Sequence, residues 1–324
     1  MKLGVFTVPY RDLSFEQMLD QVVVSLGLDA VELGTGNYPG NAHCKPDELL
    51  ADPQKLKEFR HAIESRGLTI SGLSQHGNPV HPDADFRERD RGVWEKTIRL
   101  AEALEVPVVM AFSGCPGDHE GARYPNWVTC PWPEDYLAIL EWQWNEVVIP
   151  YWAQAAAFAR SHGVTQIALE MHPGFVVYNP ETLLRLREAV GPEIGANLDP
   201  SHLFWQGIDI VEAIKNLGRE QAIFHVHAKD TYVDRANVAR NGILDTKHYG
   251  EILDRAWSFR TVGYGQGEKT WRDIISALRA VDYDYVLSME HEDLLLSVDE
   301  GLRKGVELLK DLILREGRTE IWWA

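Results

Sequence analysis

The segment AIFHVHAKD (residues 222–230) decides the fold, because it has the character of a buried β-strand and yet carries polar side chains towards its carboxyl end. His225 and His227 are two residues apart, so they project to the same side of a strand. Lys229 and Asp230 follow directly and could pair with each other. A charged group in a protein interior is costly unless it is paired or binds a metal. We therefore expect this strand to end at a functional site.

Seven further segments have the same short, β-branched character, and helical patterns separate them along the chain. These predicted strands are residues 2–7, 30–36, 68–77, 106–114, 165–172, 194–202 and 285–293. One helix is predicted to begin at a capping box formed by Ser14 and Gln17. The later predicted helices are residues 53–66, 86–104, 134–162, 180–190, 209–217, 270–280 and 297–315. Strands that alternate with helices in this way predict an α/β fold, the (β/α)8 TIM barrel.

The chain has 324 residues, whereas a TIM barrel typically needs about 250. The excess is expected in enlarged loops after predicted strands, at residues 36–52, 77–86, 113–133 and 231–269. Loops in these positions lie at the carboxyl-terminal face of a barrel, where such folds keep their active sites. Because no repeat or linker-like segment divides the sequence, we predict a single domain over residues 1–324.

The overall charge narrows the range of partners. The chain has 32 basic and 49 acidic residues and a formal net charge of -17, which disfavours nucleic acid and anionic membranes as partners. The first residues, MKLGVFTVPYRD, contain too short an apolar stretch for a signal peptide or a membrane span. We expect a cytoplasmic protein that acts on a small molecule. The three cysteines do not suggest a disulfide framework.

Carboxylates and imidazoles stand near the ends of four consecutive predicted strands, as Glu170, Asp199, His227 and Glu290. Carboxylates crowded at one rim would repel each other, and a divalent cation would neutralise them. Three oxygen ligands and one imidazole suit Mn²⁺, which we prefer, and also Co²⁺, Mg²⁺ or Zn²⁺. His227 lies nearer the rim than His225, and we take it as the ligand. The choice between these two histidines remains open.

Other polar residues near the same rim are candidates for substrate binding. His76 ends the third predicted strand, Lys229 follows the seventh, and Arg260 lies in the last enlarged loop. Glycines 263, 265 and 267 in that loop would let its backbone approach a ligand closely, although a plain surface loop is an equal alternative. Further rim candidates are Glu32, His43, Asp118 and His119. For His43, Asp118 and His119, a position in a solvated loop is an alternative.

Four of these stretches together resemble the metal motifs of the xylose isomerase-like TIM barrels known as sugar phosphate isomerases/epimerases. They are ALEMHPG (168–174), NLDPSH (197–202), HVHAKD (225–230) and LSMEHED (287–293). The resemblance extends over essentially the whole chain. It implies that Glu170 and Glu290 bind the metal and also act as acid and base, and that His202 contacts the substrate. Endonuclease IV shares this fold, but the negative charge of the present chain argues against a DNA substrate.

The activity expected from this resemblance is that of a divalent-metal-dependent sugar isomerase or epimerase. Such an enzyme removes a proton next to the carbonyl of a keto-sugar and forms an enediolate that the metal stabilises. A lyase with the same first step, acting on a 3-keto-glycoside, a C-glycoside or an inosose, is the alternative. The large rim loops leave room for a glycoside. A second alternative is a non-catalytic sugar-binding subunit.

The carboxyl-terminal stretch EIWWA (320–324) places Trp322 and Trp323 at the end of the chain. Two indoles are seldom left in water, so this stretch predicts a contact with another subunit. The sequence does not distinguish a homo-oligomer from a hetero-oligomer.

Overall fold

A computed structural model describes residues 1–317 and 319–323, without the side chains of Val23 and Val24. Eight parallel strands form a closed barrel in which β1 pairs with both β2 and the last strand, β10. The barrel strands are β1 (Lys2–Phe6), β2 (Ala30–Gly34), β3 (Thr69–Ser74), β4 (Val108–Ala111), β5 (Gln166–Glu170), β6 (Ile194–Leu198), β7 (Ile223–Ala228) and β10 (Val286–Met289). The predicted TIM barrel is confirmed.

Helices follow the strands and cover the outside of the barrel. They are α1 (Phe15–Asp20), α2 (Pro46–Ala51), α3 (Pro53–Glu64), α4 (Ala84–Leu104), α5 (Asp135–Trp142), α6 (Ile149–Ser161), α7 (Pro180–Val190), α8 (Pro200–Trp205), α9 (Ile210–Arg219), α10 (Arg235–Asn241), α11 (Glu268–Ala280) and α12 (Val298–Leu312). A π-helical turn (Gln143–Val148) joins α5 to α6, so the one long helix predicted there is continuous but locally widened. The predicted capping box of Ser14 and Gln17 is present at α1.

Buried apolar side chains of the described residues form three clusters, one of which consists of Trp205, Ala256, Trp257 and Phe259. Most buried apolar side chains form one large cluster, which includes Leu3, Leu33, Ile98 and Leu278. A small separate cluster contains Val108, Met110 and Ala168. Ala168 shares its side of β5 with Glu170, because side chains two residues apart project in the same direction. This small cluster therefore lies on the same side of the barrel wall as the candidate site.

The enlarged loops contain more regular structure than the sequence predicted. Residues 231–269 include α10 and most of a two-stranded antiparallel sheet, formed by β8 (Asp230–Val233) and β9 (Trp257–Arg260). Trp205 stacks on Trp257 of this sheet with ring centroids 4.6 Å apart, and this contact anchors the sheet to α8. The predicted strand 222–230 is therefore divided, since β7 ends at Ala228.

The predicted strand 194–202 is also shorter than expected. It ends at Leu198, and Asp199 instead caps α8 by accepting a hydrogen bond from the amide of Ser201. Pro200 follows at the first helical position, where its missing N–H costs nothing. The Asp-Pro pair thus turns the chain sharply at the rim and holds the carboxylate of Asp199 there.

The tail contains two of the most exposed large apolar side chains of the described residues. Trp322 is 83% exposed and Trp323 is 68% exposed, while Ala324 lies outside the described residues. The subunit contact expected of this stretch stays a prediction. Among the described residues, none of the helices is both long and apolar enough to cross a membrane.

Candidate functional site

Four predicted ligand residues meet at the carboxyl-terminal end of the barrel. Glu170 ends β5, Asp199 follows β6, His227 lies in β7 and Glu290 follows β10. Each of them offers a ligand atom within 4.8 Å of the ligand atoms of the other three. The first three are buried, and the side chain of Glu290 is 15% exposed.

The donor atoms of this group fit a divalent cation. Asp199 Oδ2 and Glu290 Oε2 are buried and lack a hydrogen bond of good geometry, although the ammonium of Lys229 lies 3.1 and 2.9 Å from them. His227 Nδ1 lies 3.0 Å from Glu290 Oε2 and 3.4 Å from Glu170 Oε2. Three carboxylates and one imidazole are a donor set for Mn²⁺, Co²⁺ or Zn²⁺. These side chains could therefore hold one metal ion.

Two other residue groups could also hold a cation and share members with the first. One consists of Glu32, His225 and His227, and the other of Glu170, His172 and His202. The members of the Glu32 group are fully buried, and none of them lines a cavity next to the site. The Glu32 group lies deeper in the barrel than a substrate could reach. We therefore treat this group as support for His227.

Glu32, named from the sequence only as a further rim candidate, has a supporting role that the sequence did not reveal. It lies in β2, and both of its carboxylate oxygens are 3.0 Å from His227 Nε2. Ser74 also donates a hydrogen bond to it. Burial alone would raise the pKa of Glu32, but His227, His225 and Ser74 lower it to about 2. An ionised Glu32 holds a proton on His227 Nε2 and leaves Nδ1 to face the carboxylates of the site.

The two histidines of β7 have different surroundings. Burial alone would lower the pKa of His227, but Glu32 and Glu290 raise it well above its usual value. His225 bonds instead to Asn197 Oδ1 at 3.0 Å and to Ser71 Oγ at 3.3 Å. Burial lowers the pKa of His225 to about 4. His225 is thus a neutral part of the barrel interior, which favours His227 as the ligand.

Lys229 does not pair with Asp230, contrary to the pairing considered from the sequence. Its ammonium contacts Asp199 at 3.1 Å, Glu290 at 2.9 Å and Glu292 at 3.0 Å. Burial alone would lower the pKa of Lys229, but these carboxylates raise it well above its usual value. Lys229 is therefore a permanent positive charge among the acidic groups of the site.

Asp230 has a separate structural role. Its carboxylate accepts hydrogen bonds from the backbone amides of Gly263 and Gln266 and from the indole of Trp271. A Cβ atom at Gly265 would lie 2.4 Å from the backbone of Thr231. Gly265 therefore lets the loop pack tightly on β8, and the approach of this loop to a ligand stays a prediction.

The predicted substrate-binding histidines both contact Glu170. His202 Nε2 lies 3.0 Å from Glu170 Oε1, and His76 Nε2 lies 3.0 Å from Glu170 Oε2. Burial alone would raise the pKa of Glu170, but hydrogen bonds from His202, His227 and His76 hold it well below its usual value. Glu170 is therefore an ionised carboxylate held on both of its oxygens. Substrate binding by either histidine stays a prediction.

Two adjoining cavities open at this end of the barrel. The first has a volume of about 430 Å³, and its lining includes Glu170, Glu290, His76 and Lys229. The second has a volume of about 600 Å³, and its lining includes Arg260. Both volumes are within the range of small-molecule sites. The residues that line both cavities are His172, His291, Glu292 and Val298.

The remaining rim candidates lie outside these cavities. His43 Nε2 is 3.1 Å from the carbonyl oxygen of Leu13, which is a structural contact. Asp118 and His119 lie side by side on an exposed loop, with the ring nitrogen and the carboxylate 3.8 Å apart. None of these three residues lines either of the two cavities. The alternative of a solvated loop is therefore favoured for Asp118 and His119, whereas His43 is buried.

Comparison with known proteins agrees with the barrel. The model of the family described as "Xylose isomerase-like TIM barrel" matches residues 21–312. The chain belongs to this family. The uncharacterized protein YfiH of Bacillus subtilis (strain 168) is 42% identical over 315 residues, covering 97% of this chain and 99% of that protein.

Several solved structures share the fold of this family member at low sequence identity. The probable 3-DHS dehydratase AsbF of Bacillus anthracis has a TM-score of 0.64 at 19% identity, over 96% of this chain and 99% of that chain. A D-psicose 3-epimerase has a TM-score of 0.62 at 16% identity, over 97% and 99%. The IOLI protein, solved with a bound zinc atom, has a TM-score of 0.64 at 19% identity, over 97% and 98%. Epimerases and a dehydratase are thus among its structural neighbours.

Proposed function

We propose that the protein is a divalent-metal-dependent isomerase or epimerase that removes a proton from the carbon next to the carbonyl of a keto-sugar. The observation that supports this most is that Glu170 and Glu290 belong to the candidate metal group and also line the first cavity. Two carboxylates from different strands can then approach one substrate carbon from different directions. The epimerases among the structural neighbours agree with this activity.

Glu170, Asp199, His227 and Glu290 would hold the ion. When bound, a divalent ion would act as a Lewis acid on the carbonyl and the neighbouring hydroxyl oxygen of the sugar, which lowers the pKa of the carbon-bound hydrogen. Manganese is the ion we favour, and cobalt, magnesium and zinc have compatible ligand preferences.

Proton transfer is assigned to the two glutamates. Burial alone would raise the pKa of Glu290, but Lys229 and His227 lower it well below its usual value. Glu170 is ionised for a similar reason, so each carboxylate can accept a proton from a substrate carbon. If one glutamate takes the proton and the other first takes up a proton from solvent and then gives it to the opposite face of the carbon, the sugar is epimerised. Return of the proton to the adjacent carbon interconverts a ketose and an aldose.

The residues around the glutamates orient them. His202 Nε2 hydrogen-bonds to Oε1 of Glu170 and His76 Nε2 lies 3.0 Å from Oε2, and these contacts restrict that carboxylate. Lys229 fixes Glu290 and compensates the charge of Asp199. Lys229 and His76 also line the first cavity, where their N–H groups can donate to sugar oxygens. Arg260 lines the second cavity and is proposed to contact a more distant part of the substrate.

A lyase is the second candidate, and the larger second cavity favours it. A substituent on the sugar could extend from the glutamates into this cavity. If that substituent is on the carbon next to the one that loses its proton, its departure converts the same intermediate into an unsaturated product. The dehydratase among the structural neighbours agrees with an elimination.

The function is tested by incubating the Mn²⁺-loaded protein with keto-sugars, inososes and 3-keto-glucosides in D₂O. Deuterium in the recovered sugar at unchanged carbon skeleton supports an isomerase or epimerase, and loss of water or of an aglycone supports the lyase. Glu290→Gln should lower the exchange rate by at least about 100-fold. Glu307→Gln, which changes an exposed carboxylate on α12, is the matched control and should leave the rate unchanged. Absence of exchange with every compound would contradict both candidates and favour a sugar-binding subunit.

A further inference from the structure

The second cavity has an apolar wall that projects into solvent. Leu294 and Leu295 follow Glu290 in the loop after β10, and they are 61% and 56% exposed. Tyr249, Ile252 and Phe259 from the enlarged loop after β7 complete the wall. Tyr249 and Phe259 are stacked with ring centroids 5.8 Å apart. Exposed apolar side chains that gather around one cavity mark a binding surface.

This apolar wall is joined to the site itself. The ring of Phe259 packs edge-on against His202 at 5.4 Å, and the ammonium of Lys229 lies 4.7 Å from its centroid. The ring thus contacts residues of the site and also lines the second cavity. His172 lines both cavities, so the two cavities adjoin at this residue, next to the cavity that Glu170 lines.

The charges of the second cavity favour a neutral occupant. Arg260 is the basic residue in its lining, and the carboxylate of Asp293 lies 3.1 Å from Arg260 Nε. The side chain of Asp293 is fully buried, so this pair is screened from solvent. Glu292 at the junction is about half exposed and lies 3.0 Å from the ammonium of Lys229. The charged groups of this lining are thus paired, so an anion would find no unpaired cation among them, whereas an uncharged ring would bury apolar surface.

We propose that the second cavity binds the neutral aromatic aglycone of a glycoside whose sugar ring occupies the first cavity. This inference rests on the proposed function for the placement of the sugar, and it specifies the substrate as an aryl glycoside of the keto-sugar. The aglycone lies between the stacked rings of Tyr249 and Phe259 and the leucines of the loop after β10. The rim leucines are exposed because their partner is the substrate.

The test is a binding measurement that does not require turnover. Affinities of the Mn²⁺-loaded protein for phenyl β-D-glucoside, methyl β-D-glucoside and 4-carboxyphenyl β-D-glucoside are measured by titration calorimetry. We expect the phenyl glucoside to bind at least about tenfold more tightly than the methyl glucoside, because its ring buries apolar area. The carboxyphenyl glucoside should bind more weakly than the phenyl glucoside, because no unpaired cation in the cavity lining compensates the desolvation of its charge.

Two exposed leucines provide a matched pair of variants. Leu295→Asp should remove the preference for the phenyl over the methyl glucoside, and Leu294→Asp should reduce it. Leu253→Asp is the control, since Leu253 is 89% exposed and adjoins Ile252 but does not line the cavity. Equal affinity for phenyl and methyl glucosides, binding of neither, or an equal effect of the Leu253 variant would overturn the proposal. Deuterium exchange is scored separately, so a phenyl preference without exchange would contradict the proposed function alone.

Discussion

His227 Nε2 lies 3.0 Å from each carboxylate oxygen of Glu32. This nitrogen is on the opposite side of the imidazole ring from Nδ1, which faces Glu290. β2 and β7 are not neighbours in the barrel, so this contact crosses its interior. The pair decides which ring nitrogen of His227 is available to a metal, since Nε2 keeps its proton. Glu32, in a strand far from the ligand motifs, thereby orients His227 as a metal ligand.

Replacement of Glu32 by glutamine should weaken metal binding by about 10–100-fold, the range found for groups that orient a metal-binding histidine. The amide can present its NH₂ group to Nε2, which leaves the proton on Nδ1. Affinity for Mn²⁺ would be measured by competition with a fluorescent chelator, with Glu307→Gln as the control. Unchanged affinity in the Glu32 variant would show that Glu32 does not orient the ligand.

Metal binding should release about one proton and become tighter as the pH rises towards the pKa of His227. That pKa lies well above its usual value, so metal-free His227 carries protons on both ring nitrogens at neutral pH. A ligand nitrogen must lose its proton when the metal binds. Glu170 and Glu290 are already ionised and are not the source. Calorimetry in two buffers of different ionisation enthalpy measures the released protons, and a count of zero would contradict this assignment.

Lys229→Gln should destabilise the metal-free protein by about 3 kcal/mol, because it removes the counter-charge of buried carboxylates. Addition of Mn²⁺ should restore more stability to this variant than to the parent protein, since the ion supplies the missing positive charge. Urea unfolding with and without Mn²⁺ measures both effects. Lys215→Gln, at an exposed ion pair on α9, is the control and should change stability by less than about 1 kcal/mol. Equal stability of the two metal-free variants would refute the role of Lys229.

Gly265→Ala should destabilise the protein and loosen the loop that Asp230 holds. The new methyl group would lie 2.4 Å from the backbone of Thr231, which a side-chain rotation cannot relieve. Overpacking of this kind costs about 1–3 kcal/mol. Gly267→Ala is the matched control, because no heavy atom lies within 4 Å of its added Cβ. The melting temperatures of both variants are measured by thermal unfolding. Equal values would argue against tight packing of the loop on β8.

The barrel could be predicted from the sequence because strands and helices alternate with clear periodicity. The observed strand β5 (Gln166–Glu170) lies within the predicted residues 165–172, and α7 (Pro180–Val190) has the predicted bounds. The antiparallel pair β8 and β9 could not be predicted, since 23 residues separate Val233 from Trp257 and no short turn signals their pairing. Such a pairing depends on tertiary contacts, here the stacking of Trp257 on Trp205.

The candidate ligands could be predicted because each stands at a strand end in a polar motif. The role of Glu32 could not be predicted. The strand AVELG contains a single carboxylate, and its partner His227 is 195 residues away in the chain. A lone charged residue in a strand that is otherwise apolar was the available signal. Asn197 was overlooked for the same reason, although its side chain lies 3.0 Å from His225 Nδ1.

The central claim is that Glu170, Asp199, His227 and Glu290 bind one divalent ion at the mouth of the barrel. Crystals of the protein grown with Mn²⁺ and measured near the manganese absorption edge test it most directly. We predict one anomalous peak coordinated by all four side chains, through Nδ1 in the case of His227. An ion held instead by Glu32 and His225, or no peak among the four side chains, would contradict the claim.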